Sequence, residues 1–104
     1  YRRCKEKIKM NKIEFSIKSK TELIDIWEWY ESRQTGLGDK FISLLEKKLN
    51  TIEKYPKRFP IRSERFREAL VSKFPYLVIY FIEEDRIIVS SIFYAGRNPK
   101  RKYK

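Results

Sequence analysis

The chain predicts an α+β domain of order β-α-α-β-β-β, an antiparallel sheet covered on one face by an N-terminal helical hairpin. Three observations predict it. Ile13, Phe15 and Ile17 alternate with Glu14, Ser16 and Lys18, the period of a strand with one buried face. Two apolar stripes at helical spacing come next, separated only by Thr35, Gly36, Leu37 and Gly38. The last third then holds apolar runs divided by short turn segments, the pattern of an antiparallel meander.

Taken in order, the first strand is expected over residues 12–18. Ser19 and Glu22 have the spacing of a capping box, and Leu23, Ile26, Trp27 and Tyr30 recur at i, i+3, i+4 and i+7, so a helix is expected there. Asp39 is the expected cap of a second helix, whose apolar face is Phe41, Leu45, Leu49 and Ile52 and whose stop is Tyr55 and Pro56. So short a connection makes the two helices an antiparallel hairpin. Pro56 and Pro60 exclude regular structure between them and predict a basic loop. Strands are expected over residues 66–73, 76–82 and 87–94, with turns at Phe74–Pro75 and at residues 83–86. Trp27, Phe41 and the strand aromatics fall at core positions. Trp29 falls off the stripe, which leaves a partner contact open to it.

At 104 residues the chain is expected to form one domain with a single modest core. No segment approaches the roughly 20 apolar residues of a membrane span. The first ten residues also lack the apolar middle of a signal peptide, so the cytoplasm is the expected location. Met10 reads as the natural start, with residues 1–9 a basic tail outside the fold and residues 10–104 the domain. Cys4 is the single cysteine and histidine is absent, which removes an internal disulfide, the usual general base and the commonest metal ligand. Any chemistry falls to Lys, Arg, Tyr, Asp, Glu or Ser, and no metal or cofactor is expected.

The net charge of +11 is concentrated at the ends. Residues 1–12 carry six basic groups against Glu6, and residues 97–104 carry five and no acid, while the 84 residues between them sum to only +1. Within that balanced middle, residues 54–73 form a second basic zone, seven cations against Glu64 and Glu68. Such zones attract phosphate-rich or acidic partners by Coulomb steering and counterion release. The plainer alternative is a set of solvated, solubilising tails.

The element order, the Gly36-Leu37-Gly38 opening, the Tyr55-Pro56 stop, the Phe74-Pro75-Tyr76 turn and the Gly96-Arg97-Asn98-Pro99 ending together resemble the RelE/ParE superfamily of small bacterial toxins, over residues 11–101. The resemblance implies a toxin of a type II toxin–antitoxin module, neutralised by a cognate antitoxin whose tail wraps it. Members resembling ParE poison DNA gyrase, and those resembling RelE cut messenger RNA on the ribosome. The Phe-Pro-Tyr turn and the Arg-Asn-Pro ending look more like the ParE side. A third reading is an inactive member that acts as a binding module, and a homodimer is left open.

For the ribonuclease branch the resemblance implies a metal-independent endoribonuclease working through Lys, Arg and Tyr. The matching catalytic candidates are Arg65, Lys73, Tyr80 and Arg97. Arg67, Tyr94, Lys100, Arg101 and Tyr103 are the candidates for holding nucleic acid or a protein target. Two departures run against that branch. Tyr76 stands where RNA-cutting members usually carry an arginine early in the third strand, and Tyr94 stands where relatives often carry a histidine.

Overall fold

Ser16 is the point at which strand gives way to helix. In the computed structural model, which describes residues 13–96, the elements are β1 (Ile13–Phe15), α1 (Ile17–Arg33), α2 (Leu37–Lys54), β2 (Ile61–Ser63), β3 (Phe66–Leu70), β4 (Tyr76–Glu83) and β5 (Arg86–Tyr94). The helical hairpin and the last two strands stand where the sequence puts them, while the strand expected over residues 66–73 ends at Leu70. The cap of α1 does not. Ser16, not Ser19, is the N-cap, its Oγ accepting from Ser19 N at 3.0 Å while also donating to Ser90 O at 2.9 Å. These two hydrogen bonds, one of them to another element, end the strand early, and Ile17 is left 84% exposed.

Glu22, expected to close a local box, instead crosses to the sheet. Its Oε1 accepts from Ser91 Oγ at 2.9 Å and from Ile92 N at 3.1 Å. That carboxylate serves a bulge: Ile79 pairs with Ser91 but Tyr80 pairs with Val89, leaving Ser90 as the extra residue.

The start of α2 also departs from expectation. Gly36 is the N-cap, with φ +90° and no side-chain cap bond. The capping acceptor comes from α1: Glu31 Oε1 takes the N–H groups of Gly36 and Gly38 at 2.9 Å each and of Asp39 at 3.4 Å. Asp39 turns back instead and accepts from Trp27 Nε1 at 3.0 Å. Gly38 sits where a Cβ would lie 2.7 Å from the Trp27 carbonyl oxygen, so the hairpin closes only over a residue without a side chain.

The sheet order is β1-β5-β4-β3-β2. β2 to β5 form the antiparallel meander, and β1 joins the edge parallel to β5, so the five-stranded sheet is mixed. β2 is an addition to the expected order; three residues are too few for a period to declare itself. The helices cover the sheet face that carries Val78, Tyr80, Val89 and Ile92. Phe41, Leu45, Leu49 and Ile52 of α2 are all fully buried there. No helix among the described residues is long and apolar enough to cross a membrane.

Candidate functional site

The meander brings the Phe74-Pro75-Tyr76 turn against the middle of α1, and an open groove of about 540 Å³ lies between them. Its walls are aromatic. Tyr30 packs edge-on to Phe74 at 5.0 Å, Trp29 edge-on to Tyr30 at 5.1 Å, and Tyr76 lies 5.5 Å from Tyr94. Asp25 and Pro75 complete the rim. Trp29 is 52% exposed and Tyr94 41% exposed, so both present ring surface to solvent. Arg33 stacks its guanidinium 4.6 Å from the Trp29 ring. Burial pushes the Tyr30 phenol up, the nearby Tyr94 adds to that, and the hydrogen bond with Tyr76 opposes it. A phenol held neutral is a poor base but a good contact surface.

Gly96 closes the described part of the chain against this groove. A Cβ there would lie 2.7 Å from Tyr94 Cε2, so glycine lets the backbone pass over the ring. Ala95 N donates to Pro75 O at 2.8 Å, which ties the end of β5 to the turn. Arg97, Lys100, Arg101 and Tyr103 fall outside the described residues, as does the basic tail of residues 1–9.

The remaining expected site residues do not converge. Tyr80 is fully buried and donates its hydroxyl to Pro56 O at 2.7 Å. Burial pushes its phenol up to about 12, with the Arg67 guanidinium opposing. Its ring is enclosed and its hydroxyl proton is held on the Pro56 carbonyl, so in this structure Tyr80 serves as an anchor of the loop. Arg67, its cross-strand partner, donates through one nitrogen to Phe59 O at 2.6 Å and Lys57 O at 3.2 Å. Together the pair anchors the basic loop between Pro56 and Pro60. Arg67 is therefore engaged in holding backbone rather than offered to a ligand.

Arg65 lies in the β2–β3 turn with its guanidinium 4.0 Å from the centre of the Phe81 ring. Lys73 lies in the β3–β4 turn with φ +68°, beside Lys47 and Lys48 of α2. The whole of β3 separates these two cations, a length of roughly 16 Å at the usual strand rise. Among the described residues, then, Arg65, Lys73 and Tyr80 form no joint acid–base site. No group of three or more Cys, Asp or Glu among them is placed to hold a metal ion. Reading the sequence missed the groove itself. Two of its wall residues carried a signal: Trp29, an aromatic off the buried stripe, and Tyr94, a candidate for holding a target.

Comparison with known proteins agrees with this architecture. A solved structure described as the chromosomal ParDE TA system from P. aeruginosa superposes with a TM-score of 0.72 at 11% identity, covering 81% of this chain and 95% of that one. At that identity the likeness is one of fold. No curated protein sequence matches the chain. The family model for the ParE toxin of the type II toxin–antitoxin system parDE matches residues 13–99, from β1 through the ending beyond β5. The chain therefore belongs to the ParE toxin family of type II toxin–antitoxin systems.

Proposed function

We propose that the chain arrests growth by binding DNA gyrase, as a toxin that acts through its surface rather than by bond cleavage. The observation that carries this reading is the contrast between its two sets of candidates. The described acid–base candidates are scattered or buried, whereas an exposed aromatic groove is assembled from α1, the β3–β4 turn and the end of β5. Exposed Trp and Tyr around a pocket are the residues that anchor protein interfaces. A poison needs such a contact and no proton relay. Family membership supports a cognate antitoxin as the neutralising partner, and gyrase would be met in the cytoplasm.

The test is a supercoiling and DNA-cleavage assay with purified gyrase and the full chain, run beside a messenger-RNA cleavage assay on translating ribosomes. Inhibited supercoiling or trapped cleaved DNA is expected, with intact message. In the Trp29→Ala variant the inhibition should weaken by about tenfold or more, the scale of an interface anchor. Cut message with normal supercoiling would transfer the chain to the ribonuclease reading and its Arg97-centred site.

A further inference from the structure

The solvent face of α2 carries a pattern that toxin packing does not require. Lys40, Lys47 and Lys54 recur at seven-residue intervals and all three are exposed. At 1.5 Å rise and 100° per residue they lie in one line, about 10.5 Å apart and spanning about 21 Å. Within about 60° of Lys47 on either side the helix presents Ser43, Asn50 and Thr51, a single apolar residue, Leu44, and no acid. The acids of the helix lie off this line: Asp39 is bonded to Trp27, and Glu46 and Glu53 fall on one flank. On the other flank, Lys48 and Lys73 border a shallow groove with Thr51 and Ser72. Among the described residues none of the three aligned lysines is held in an ion pair.

Lys, Ser, Thr and Asn are the side chains that bind phosphate oxygens. We infer that the outer face of α2, extended by Lys48 and Lys73, is a binding surface for the phosphate backbone of duplex DNA. No aromatic ring lies on this line, and single-stranded nucleic acid is held chiefly by stacking on aromatic platforms. A duplex is the partner whose charge is presented without exposed base faces. The lysine spacing is close to the roughly 12 Å width of the B-form major groove, so successive cations reach phosphates on its two walls. The major groove of an RNA duplex is deep and narrow, and offers a helix no such seat. The contact is made through phosphates and carries no sequence preference of its own. It lies on a different element from the aromatic groove and does not depend on gyrase being the target.

The test measures binding of the purified full chain to a 20-base-pair DNA duplex by fluorescence anisotropy across a salt series, with gyrase absent. The variant Lys40→Gln/Lys47→Gln/Lys54→Gln keeps good helix formers on the exposed face. Its control, Lys18→Gln/Lys20→Gln/Arg62→Gln, removes the same charge from other exposed positions. Each lost phosphate contact lowers the slope of log K against log salt by about 0.9, so the α2 variant should lose about 2 to 3 from the slope and roughly a hundredfold in affinity at 0.1 M salt. The control should keep most of the wild-type slope. Equal losses in the two variants would reduce the effect to net charge and overturn the inference, as would an unchanged slope in the α2 variant. In a parallel titration with a 20-nucleotide single-stranded RNA, a loss confined to the RNA would overturn it too. Gyrase inhibition measured separately on both variants keeps this outcome apart from the target assignment.

Discussion

Glu31 does for the start of α2 what a side chain of α2 itself would ordinarily do. One oxygen gathers three backbone N–H groups at a helix end, where the aligned peptide dipoles favour a negative charge. Glu31→Ala leaves those donors without a protein partner and should lower stability by about 2 kcal/mol. Glu31→Gln, which keeps an acceptor oxygen, should lose less. Urea midpoints for both variants check this, and equal midpoints for Ala and wild type would remove Glu31 from the capping role. Tyr80 gives a second prediction at this scale. Its phenol titrates higher folded than unfolded, because burial disfavours the phenolate, so the fold favours the protonated form. That contribution is fully present below pH 10 and is lost as the pH rises from about 10 towards about 12. Tyr30 is shifted in the same direction by the same leading cause. The urea midpoint should stay level up to about pH 10 and then fall. In Tyr80→Phe the fall should be shallower, at the price of about 1 kcal/mol throughout for the unpaired Pro56 carbonyl. A fall as steep in Tyr80→Phe as in the wild type would show that other groups carry the alkaline loss.

At the scale of elements the hairpin is the unit that specifies the rest, and Gly38 is its closest approach. A methyl there meets the Trp27 carbonyl oxygen at 2.7 Å, and backbone does not yield as a flexible side chain does. Gly38→Ala should therefore cost about 1 to 3 kcal/mol by forcing the helices apart. Thermal unfolding of that variant beside Gly36→Ala would test it, since Gly36 has no atom within 4 Å of its virtual Cβ and suffers only from its φ of +90°. A smaller loss at Gly38 than at Gly36 would refute the packing argument. The same elements mark what the chain makes legible. The buried face of α2 could be read from Phe41, Leu45, Leu49 and Ile52 because a helix writes its burial at a fixed period. The caps could not, because Glu31 and Glu22 act on other elements and nothing local announces a partner 5 to 70 positions away. Arg67 and Tyr80 drew attention as chemistry because their residue types can do chemistry. Only the strand register and the position of the loop carbonyls reveal them as anchors. The aromatic groove was hidden for the same reason, being assembled from three separate segments.

Over the whole molecule, charge and aromatic surface divide the work of meeting a partner. The chain carries 25 basic and 14 acidic groups, and its cations concentrate at the two ends and over residues 54–73, with a line of lysines along the outer side of α2, while the aromatic groove opens between α1 and the β3–β4 turn. An acidic antitoxin tail would be drawn in by the long-range field, which salt screens, and would then be held by covering the exposed Trp29 and Tyr94 rings, a contact salt leaves alone. The association rate with the cognate antitoxin should fall by about tenfold or more between 0.05 and 0.5 M salt, while the dissociation rate changes little. Trp29→Ala and Tyr94→Ala should do the reverse, raising dissociation and leaving the salt dependence of association intact. The α2 lysine variant should slow association alone. Stopped-flow mixing of toxin and antitoxin at several salt concentrations separates the two rates. An association rate indifferent to salt would mean that the excess charge serves another partner, and nucleic acid would then be the one to pursue.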